Sequence, residues 1–455
     1  MTETILKTQK RVEFTKQKPL LGKPHANGSV NRLQLEDQPV HDWYRFVLSF
    51  PPHLVDDYIK KFRLQQNQTL LDPFCGTGTT LVEAKILGIP SIGIEANPVA
   101  HFASRVKLDW NVSPQGLLQH ADFVANCAIK KLEAAGIEDD PIFNSNLSKK
   151  PELRNLGPEQ IKLLLKDSIS PLPLHKTLIL LETLQQQQND EYHRHELLAL
   201  AKALVFSISN LRFGPEVGIG KLKSDAPVIS AWLAGVKKMA KALEQFDHSK
   251  NTFSEVHLAD SRQLTHILKP HSIDAVITSP PYPNEKDYTR TTRLESVLLG
   301  FINNSAELQA LKRNLMRSNT RTVYKADNDD HWVAHHPEIQ RIAAAIEQRR
   351  IELGKTSGFE RLYAKVTKLY FGGMSRHLAE LRDKLKPGAQ LAYVVGDQAS
   401  YLRVMIRTGQ LLADIAQSLG YEVVGIDLFR TRLATATKEQ LREEVVLLRW
   451  RGKTK

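Results

Sequence analysis

Residues 69–95 constrain the fold more than any other part of the sequence, because they have the pattern of a strand, a glycine-rich turn, a helix and a second strand. The strands are predicted over Thr69–Leu71 and Ser91–Glu95, and the helix over Leu81–Leu87. Gly88 follows the helix, at the position where a glycine commonly ends one. Such a β-loop-α-β unit predicts an α/β protein with a ligand crevice at the carboxyl ends of its parallel strands.

The turn of this unit predicts a ligand that carries a ribose. It runs Asp72-Pro73-Phe74-Cys75-Gly76-Thr77-Gly78-Thr79-Thr80. Its glycines allow the backbone to approach a ligand, and an acidic residue at the end of the second strand, here Glu95, suits ribose hydroxyl groups. The third glycine of the dinucleotide-binding fingerprint is missing, and no Gly-Lys-Ser/Thr of a phosphate loop follows. The turn therefore belongs to neither of those two common motifs.

A second loop follows another candidate strand, Ile273–Ile277, and runs Thr278-Ser279-Pro280-Pro281-Tyr282. Two consecutive prolines donate no hydrogen bonds to a neighbouring strand, so the chain must leave the sheet at this point. The loop is therefore expected at the carboxyl end of a strand, where α/β sheets place their ligands.

The residues of this second loop suit chemistry at the exocyclic amino group of a nucleobase, whose lone pair is delocalised into the ring. The Ser279 hydroxyl and the Pro280 carbonyl can accept hydrogen bonds from that group, and the Tyr282 ring can stack on a flipped-out base. Pro280 and Pro281 hold the loop in place in advance, which is electrostatic preorganisation. A plain proline turn with Tyr282 in the core is the alternative, and the glycine-rich turn upstream decides against it.

The composition limits the class of protein and its partners. The 455 residues carry a net charge of +12, which favours a polyanionic partner, although basic cytoplasmic proteins are also common. Cys75 and Cys127 are too few for a disulfide framework, so a cytoplasmic location is expected. We find neither a signal-peptide pattern nor an apolar run that could cross a bilayer, and the 16 histidines lack metal-ligand spacing. We therefore expect no membrane and no metal.

The strand-and-helix pattern continues beyond residue 250. The elements predicted there are a strand over Val256–Asp260, a helix over Phe359–Leu385, a strand over Gln390–Val395, a helix over Gly409–Leu419, and strands over Glu422–Leu428 and Glu444–Trp450. Only a turn and a polar segment join the last two strands, which predicts a terminal antiparallel hairpin. Between the two halves of this pattern, the segment 212–223 is predicted to be either a mobile loop near a ligand or a surface hairpin.

The two loops resemble the motifs of the amino-methyltransferases that act on DNA with S-adenosylmethionine as methyl donor. Asp72–Thr80 resembles the cofactor motif of that family, and Thr278–Tyr282 resembles its catalytic motif. Phe50-Pro51-Pro52, which precedes a helix predicted over Pro52–Phe62, is similar to the segment that covers the cofactor from the amino-terminal side. The resemblance implies a Rossmann-like seven-stranded methyltransferase sheet with an antiparallel last strand, plus helical insertions.

The resemblance also implies the residues of the site. The implied cofactor-binding residues are Phe50, Pro51, Asp72, Pro73, Phe74, Gly76, Gly78, Thr79, Thr80, Glu95 and Asp260, and the catalytic residues are Ser279, Pro280, Pro281 and Tyr282. Glu95 is implied to bind the ribose and Asp260 the adenine amino group, and the alternative for Asp260 is to cap the following turn.

The function implied is methylation of a flipped base in double-stranded DNA at a specific site. Serine at the first position of the catalytic loop is commoner in cytosine-N4 enzymes, so we predict N4 of cytosine over N6 of adenine. A tRNA or rRNA base N-methyltransferase is one alternative, although no RNA-binding appendage is recognisable. A non-catalytic DNA-binding subunit of a modification complex is another, and intact Ser279 and Tyr282 argue against it. The sequence leaves open the recognition site, a cognate restriction endonuclease and the oligomeric state.

Six segments are expected along the chain. They are a basic flexible arm (1–40), the cofactor-binding half of the methyltransferase domain (41–110), a mainly helical insertion (111–250), the catalytic part of the domain (251–290), a basic insertion (291–360) and the remainder of the domain (361–455). Either insertion is a candidate for the region that recognises the target sequence.

Overall fold

The computed structural model describes residue 33 and the segments 38–45, 49–144, 151–214, 216–246, 249–284, 286–433 and 440–452. Nearly all of the basic arm expected at residues 1–40 lies outside these described residues. Within the described part of the chain, no helix is long and apolar enough to cross a membrane.

Nine strands are present in the described segments. In chain order they are β1 (Leu70–Asp72), β2 (Ser91–Glu95), β3 (Leu211–Phe213), β4 (Val217–Ile219), β5 (Ser254–Leu258), β6 (Ile273–Thr278), β7 (Leu385–Gly396), β8 (Glu422–Leu433) and β9 (Gln440–Arg449). Seven of them form one sheet in the order β5-β2-β1-β6-β7-β9-β8, and β9 runs antiparallel to both of its neighbours. The predicted fold class, with its reversed strand and terminal hairpin, is confirmed.

The strand order places the two loops of interest side by side. From β1 the chain proceeds outward to β2 and β5, and it then returns to β6 on the other side of β1. Strands β1 and β6 pair in parallel, with Leu70 opposite Ala275 and Leu71 opposite Val276. The order of the strands reverses between β1 and β6, which is where open α/β sheets leave a crevice for a ligand.

Helices cover both faces of the sheet. In chain order they are α1 (Gln38–His41), α2 (Pro52–Phe62), α3 (Thr79–Ile86), α4 (Pro98–Leu108), α5 (Pro114–Ala134), α6 (Pro141–Asn144), α7 (Pro158–Leu163), α8 (Pro171–Gln186), α9 (His193–Ala203), α10 (Val228–Leu243), α11 (Tyr288–Thr291), α12 (Arg293–Leu298), α13 (Ser305–Asn314), α14 (Pro337–Glu352), α15 (Tyr363–Leu381) and α16 (Thr408–Ser418). Short 3₁₀ helices lie among them, including Asp329–Val333.

Successive residues of the central strands pack into different cores, because side chains of a strand alternate between the two faces of its sheet. Leu71 and Val276 belong to the core formed with α14, α15 and α16, whereas Leu70 and Ala275 belong to the core formed with α2. A third core contains α5, α8, α9 and α10 together with α3 and α4. The helices between β2 and β5 therefore share one hydrophobic core with α3, the helix that follows the predicted cofactor turn Asp72–Thr80.

The structure corrects one predicted boundary after residue 359. The helix predicted to reach Leu385 ends at Leu381, and the strand predicted from Gln390 begins at Leu385. Ile273 pairs with Leu385 but Ala275 pairs with Gln390, so the residues between them on β7 form a bulge. A bulge tolerates Pro387, because it requires no ladder hydrogen bond from that residue.

The other predicted elements beyond residue 200 occur with modest changes of length. The terminal hairpin extends further than predicted at its closed end, to Leu433 on β8 and Gln440 on β9. The segment around residues 212–223 forms the two-stranded hairpin β3–β4, the second of its two predicted alternatives.

Candidate active site

Asp72 holds together the three elements that meet at the end of β1. Its carboxylate accepts hydrogen bonds from the Thr278 hydroxyl (2.6 Å), the Thr80 hydroxyl (2.6 Å) and the Phe74 amide (3.0 Å). Burial raises the pKa of Asp72 to about 6, against the opposing effect of these hydrogen bonds. Asp72 thereby links the predicted cofactor turn (Asp72–Thr80) and helix α3 to β6, the strand that precedes the predicted catalytic loop (Thr278–Tyr282). The neighbouring Pro73 is buried as well.

The two glycines of the turn are required for different reasons. Gly76 and Gly78 both adopt the left-handed conformation, with φ of +52° and +84°. A Cβ on Gly78 would lie 3.2 Å from the Ser104 hydroxyl oxygen, so the turn packs closely on α4. A Cβ on Gly76 would meet no atom within 4 Å, so the space above Gly76 is open to a ligand. Helix α3 begins at Thr79, immediately after this turn.

Glu95 closes the turn from the end of β2. Its carboxylate accepts hydrogen bonds from the amides of Gly76 (2.9 Å) and Asn97 (2.7 Å). Burial raises the pKa of Glu95 to about 7. A carboxylate offers about four lone-pair sites, so these two bonds leave acceptor capacity for ribose hydroxyl groups.

Asp260 follows the end of β5 and is part of a buried ion network. Its carboxylate caps the following turn by accepting from the Arg262 amide (2.9 Å), and it also pairs with the Arg262 guanidinium (2.6 Å). Arg262 pairs in turn with Asp329 (2.6 Å), which lies between β6 and β7, and Arg376 on α15 contacts the same carboxylate at 3.3 Å. The capping alternative is therefore present, and the adenine contact of Asp260 stays a prediction.

Phe74 and Phe50 pack against different hydrophobic cores. The Phe74 ring meets the His377 ring edge-on, with 5.0 Å between centroids. His377 is buried and bonds Ser261 and Tyr393, and burial lowers its pKa to about 4, so the ring is neutral. Phe50 packs against the core beside α2, and Pro51 precedes the first residue of that helix. The helix predicted after them has the predicted bounds, Pro52–Phe62.

The catalytic loop leaves β6 as predicted and lies against β7. The Ser279 hydroxyl donates to the Val394 carbonyl at 3.2 Å and also contacts the Tyr282 hydroxyl, and its oxygen, with two lone pairs, retains acceptor capacity. Within the described residues, the Pro280 carbonyl oxygen accepts no hydrogen bond. Ser279 and Pro280 thus present acceptors, the property that an amino-group substrate requires.

Tyr282 and Pro281 complete the loop and are partly exposed. A Cβ on Gly396 would lie 3.1 Å from Tyr282 Cε2, so the tyrosine ring rests on the backbone at the end of β7. Burial raises the pKa of Tyr282, as does the nearby Glu443 carboxylate, so the phenol stays protonated. A neutral ring of this kind can present a face to a nucleobase.

The structure thus brings the implied residues that follow β1, β2, β5 and β6 to the carboxyl ends of four adjacent strands, and Phe50 and Pro51 precede α2. The sequence places Thr278 in the predicted catalytic motif but gives it no role, and it does not single out Arg262 or Tyr288. Arg262 stands two residues after a predicted site acid, a spacing that could have indicated an ion pair. Burial raises the pKa of Tyr288 to about 12, and the charge of the Glu95 carboxylate adds to the shift. Across the described segments, no three His, Cys, Asp or Glu side chains form a metal-binding group.

The chain is similar to known methyltransferases over most of its length. A family model described as DNA methylase matches residues 9–104, and one described as an RMKL-like methyltransferase domain matches residues 59–150. The Type II methyltransferase M.BsoBI of Geobacillus stearothermophilus is 25% identical over 448 residues, which cover 91% of this chain and 85% of that protein. The Type II methyltransferase M.AvaI of Nostoc sp. is 23% identical over 430 residues, or 89% of this chain and 83% of that protein.

Solved structures give a weaker likeness. The rRNA methyltransferase aviRa from Streptomyces viridochromogenes has a TM-score of 0.32 at 10% identity, over 91% of this chain and 93% of that chain.

At the switch point of the seven-stranded sheet lie the two loops that resemble the motifs of S-adenosylmethionine-dependent methyltransferases. Within that class, the matches confirm the resemblance of this chain to the amino-methyltransferases that act on DNA.

Proposed function

We propose that this protein methylates an exocyclic amino group of a base flipped out of double-stranded DNA at a specific site, with N4 of cytosine preferred over N6 of adenine. The main support is the position of the catalytic loop. Ser279 and Pro280 follow β6, beside the turn after β1, and both present hydrogen-bond acceptors. An amino group carries two hydrogens, so two acceptors match it.

The residues present fit the cofactor. The space above Gly76 is open, and the Glu95 carboxylate retains acceptor capacity beside it. When bound, S-adenosylmethionine supplies an activated methyl group on a sulfonium sulfur, which is the group transferred. The protein therefore need not supply a nucleophile of its own.

The catalytic residues act on the amino nitrogen. Hydrogen bonds from the amino group to Ser279 and Pro280 favour a tetrahedral nitrogen, which frees its lone pair from the ring. Tyr282 stacks on the base and fixes its position relative to those acceptors. Holding the two reactants in this pose supplies much of the rate increase. With the cofactor bound, the nitrogen–carbon bond would form as the carbon–sulfur bond breaks, which would leave an uncharged thioether, and the amino group would then lose a proton to solvent.

Three observations support DNA as the substrate and cytosine as the base. The net charge of +12 suits a polyanion, and the matching relatives are Type II methyltransferases. Serine at position 279, where adenine-N6 enzymes more often have Asp or Asn, supports cytosine N4.

The test is to incubate the protein with labelled S-adenosylmethionine and, separately, unmethylated genomic DNA and bulk tRNA. Nucleosides from each digest are then identified by mass spectrometry. We expect N4-methylcytosine in DNA. Ser279→Ala should lower the rate by about 100-fold, the order of magnitude for removing one preorganised polar group.

Ser272→Ala is the matched control. Ser272 stands just before the same strand, β6, and its hydroxyl donates to the Lys269 carbonyl at 2.8 Å. This variant should keep wild-type activity. N6-methyladenine would correct the base and keep DNA as substrate, whereas label in tRNA alone would overturn DNA as the substrate. Label in neither, with cofactor still bound, would contradict the proposed activity.

A further inference from the structure

The β8–β9 hairpin projects past the sheet beside the catalytic loop. Pairing between β7 and β9 stops at Gly396 opposite Glu443, but β8 and β9 continue to pair as far as Leu433 opposite Gln440. The Tyr282 ring packs against Gly396, so the projecting part of the hairpin begins next to this tyrosine.

Glu443 anchors two arginines at this position. Its side chain is only 12% exposed, and it accepts hydrogen bonds from Arg430 Nε (2.6 Å) and Nη2 (3.0 Å). Arg432, two residues along β8, lies 3.7 Å from the same carboxylate, and 44% of its side chain is exposed. Residues two apart on a strand share a face, so both arginines lie on the face that carries Glu443.

We call Arg430 and Arg432 the cationic cluster. The two guanidinium groups share the single Glu443 carboxylate, so the cluster keeps a net positive charge.

We propose that the cationic cluster binds a backbone phosphate of the DNA strand that carries the flipped base, next to the nucleotide stacked on Tyr282. The inference rests on the function proposed above. A guanidinium presents a planar fork that matches phosphate oxygens, and an arginine already held by a carboxylate loses less freedom when it binds. Glu443 therefore holds Arg430 in place, and Arg432, the more exposed arginine, reaches the phosphate.

The test is to measure the affinity of Arg432→Gln for unmethylated duplex DNA over a series of salt concentrations. Losing one phosphate contact should reduce the slope of log K against log salt by about 0.9. Mutating such a contact should weaken binding uniformly across DNA sequences. The affinity for S-adenosylmethionine should not change, which also shows that the variant is folded. Arg432→Lys keeps the charge and should restore the slope.

Arg451→Gln is the matched control, because Arg451 also pairs with a glutamate of the same hairpin, Glu422, at 2.8 Å. That pair lies at the other end of β8, where Glu422 is ten residues from Arg432, or about 34 Å at the rise of an extended strand. Its salt slope should equal that of the wild type. Equal slopes for Arg432→Gln and Arg451→Gln would overturn the phosphate contact of the cationic cluster and leave the proposed methylation standing. If the wild type binds no duplex DNA at low salt but still binds the cofactor, the proposed function fails and the inference fails with it.

Discussion

Several side chains of this protein are carboxylates that burial makes hard to ionise. The pKa of Asp72 is raised to about 6, and those of Glu95 and Glu295 to about 7. Asp72 and Glu95 accept several hydrogen bonds from the loops that they organise, which partly offset the cost of burial. Glu295 lies apart from the proposed catalytic residues, so its effect on stability can be measured separately from activity.

The raised pKa of Glu295 predicts that the protein loses stability as the pH rises. Its Oε1 accepts from the Tyr44 hydroxyl at 2.5 Å, whereas its buried Oε2 has no partner among the described residues. The pKa of Glu295 is about 7 in the folded protein, against an ordinary value of 4.5. Protonation of Glu295 therefore stabilises the folded protein fully below pH 4.5, and this stabilisation is lost as the pH rises through 7. The free energy of unfolding in urea is to be measured at pH 5 and pH 8. We expect its decrease between these two pH values to be about 2–3 kcal/mol smaller in Glu295→Gln than in the wild type.

Glu422→Gln is the control for this prediction. Its carboxylate pairs with Arg451 at the surface, which lowers its pKa, so its replacement should leave the loss between pH 5 and pH 8 in place. Other buried carboxyls titrate in both proteins and cancel in the comparison. A Glu295→Gln curve parallel to that of the wild type would contradict the expectation.

At the scale of elements, helix α15 approaches the 3₁₀ helix Asp329–Val333 so closely that only glycine fits. A Cβ on Gly372 would lie 1.9 Å from the Asp329 carbonyl oxygen, and one on Gly373 would lie 2.5 Å from Met316 Sδ. The same Asp329 pairs with Arg262, which holds Asp260. The contact between these two elements therefore supports the ion network at the end of β5.

This contact predicts that Gly372→Ala destabilises the protein. Alanine favours a helix interior by about 1 kcal/mol over glycine, but overpacking typically costs about 1–3 kcal/mol and here meets backbone rather than a flexible side chain. We expect a lower free energy of unfolding in urea. Gly358→Ala, where a Cβ would meet no atom within 4 Å, is the matched change and should leave stability unchanged. Equal stability of the two variants would show that α15 can move away from Asp329.

The elements that could be predicted from the sequence are those with local signals. The strand, turn and helix around residues 69–95 and the loop after β6 are formed by contiguous residues with strong backbone preferences. The sequence before Pro387 predicts the end of a helix, because Pro and Gly often follow helices, whereas the structure has a bulge in β7 there. The pairs Tyr44–Glu295 and Arg262–Asp329 join residues far apart in the chain, and no local pattern indicates them.

For the whole molecule, cofactor binding should appear as stability of the entire fold. A ligand at 100 times its Kd stabilises a folded protein by about 2.7 kcal/mol when it binds only that state. The turn that is predicted to bind the cofactor bonds to β2 through Glu95 and to β6 through Asp72. Stabilising this turn therefore opposes separation of the three central strands.

The stabilisation by S-adenosylmethionine is predicted to depend on the open space above Gly76. In Gly76→Ala the new methyl group would point into that space, so we expect most of the increase in unfolding temperature caused by the cofactor to disappear. Gly354→Ala is matched, since Gly354 has φ of +60° against +52° for Gly76, and neither Cβ would meet an atom within 4 Å. Both variants carry similar backbone strain, and only Gly354→Ala should keep the stabilisation. Equal stabilisation of both would place the cofactor elsewhere.

The strand order also has a consequence for how the chain acquires its structure. Strand β2 pairs with β5 and β1 pairs with β6, although the helices from α4 to α10 lie between them in the chain. Contacts between residues close in sequence form fast, whereas closing a long loop has an entropic cost that must be met before distant strands pair. The helices of the intervening segment make many short-range contacts and can form before that closure. We therefore expect refolding chains to gain helical signal early and the capacity to bind the cofactor late, because both loops of the site require the completed centre of the sheet.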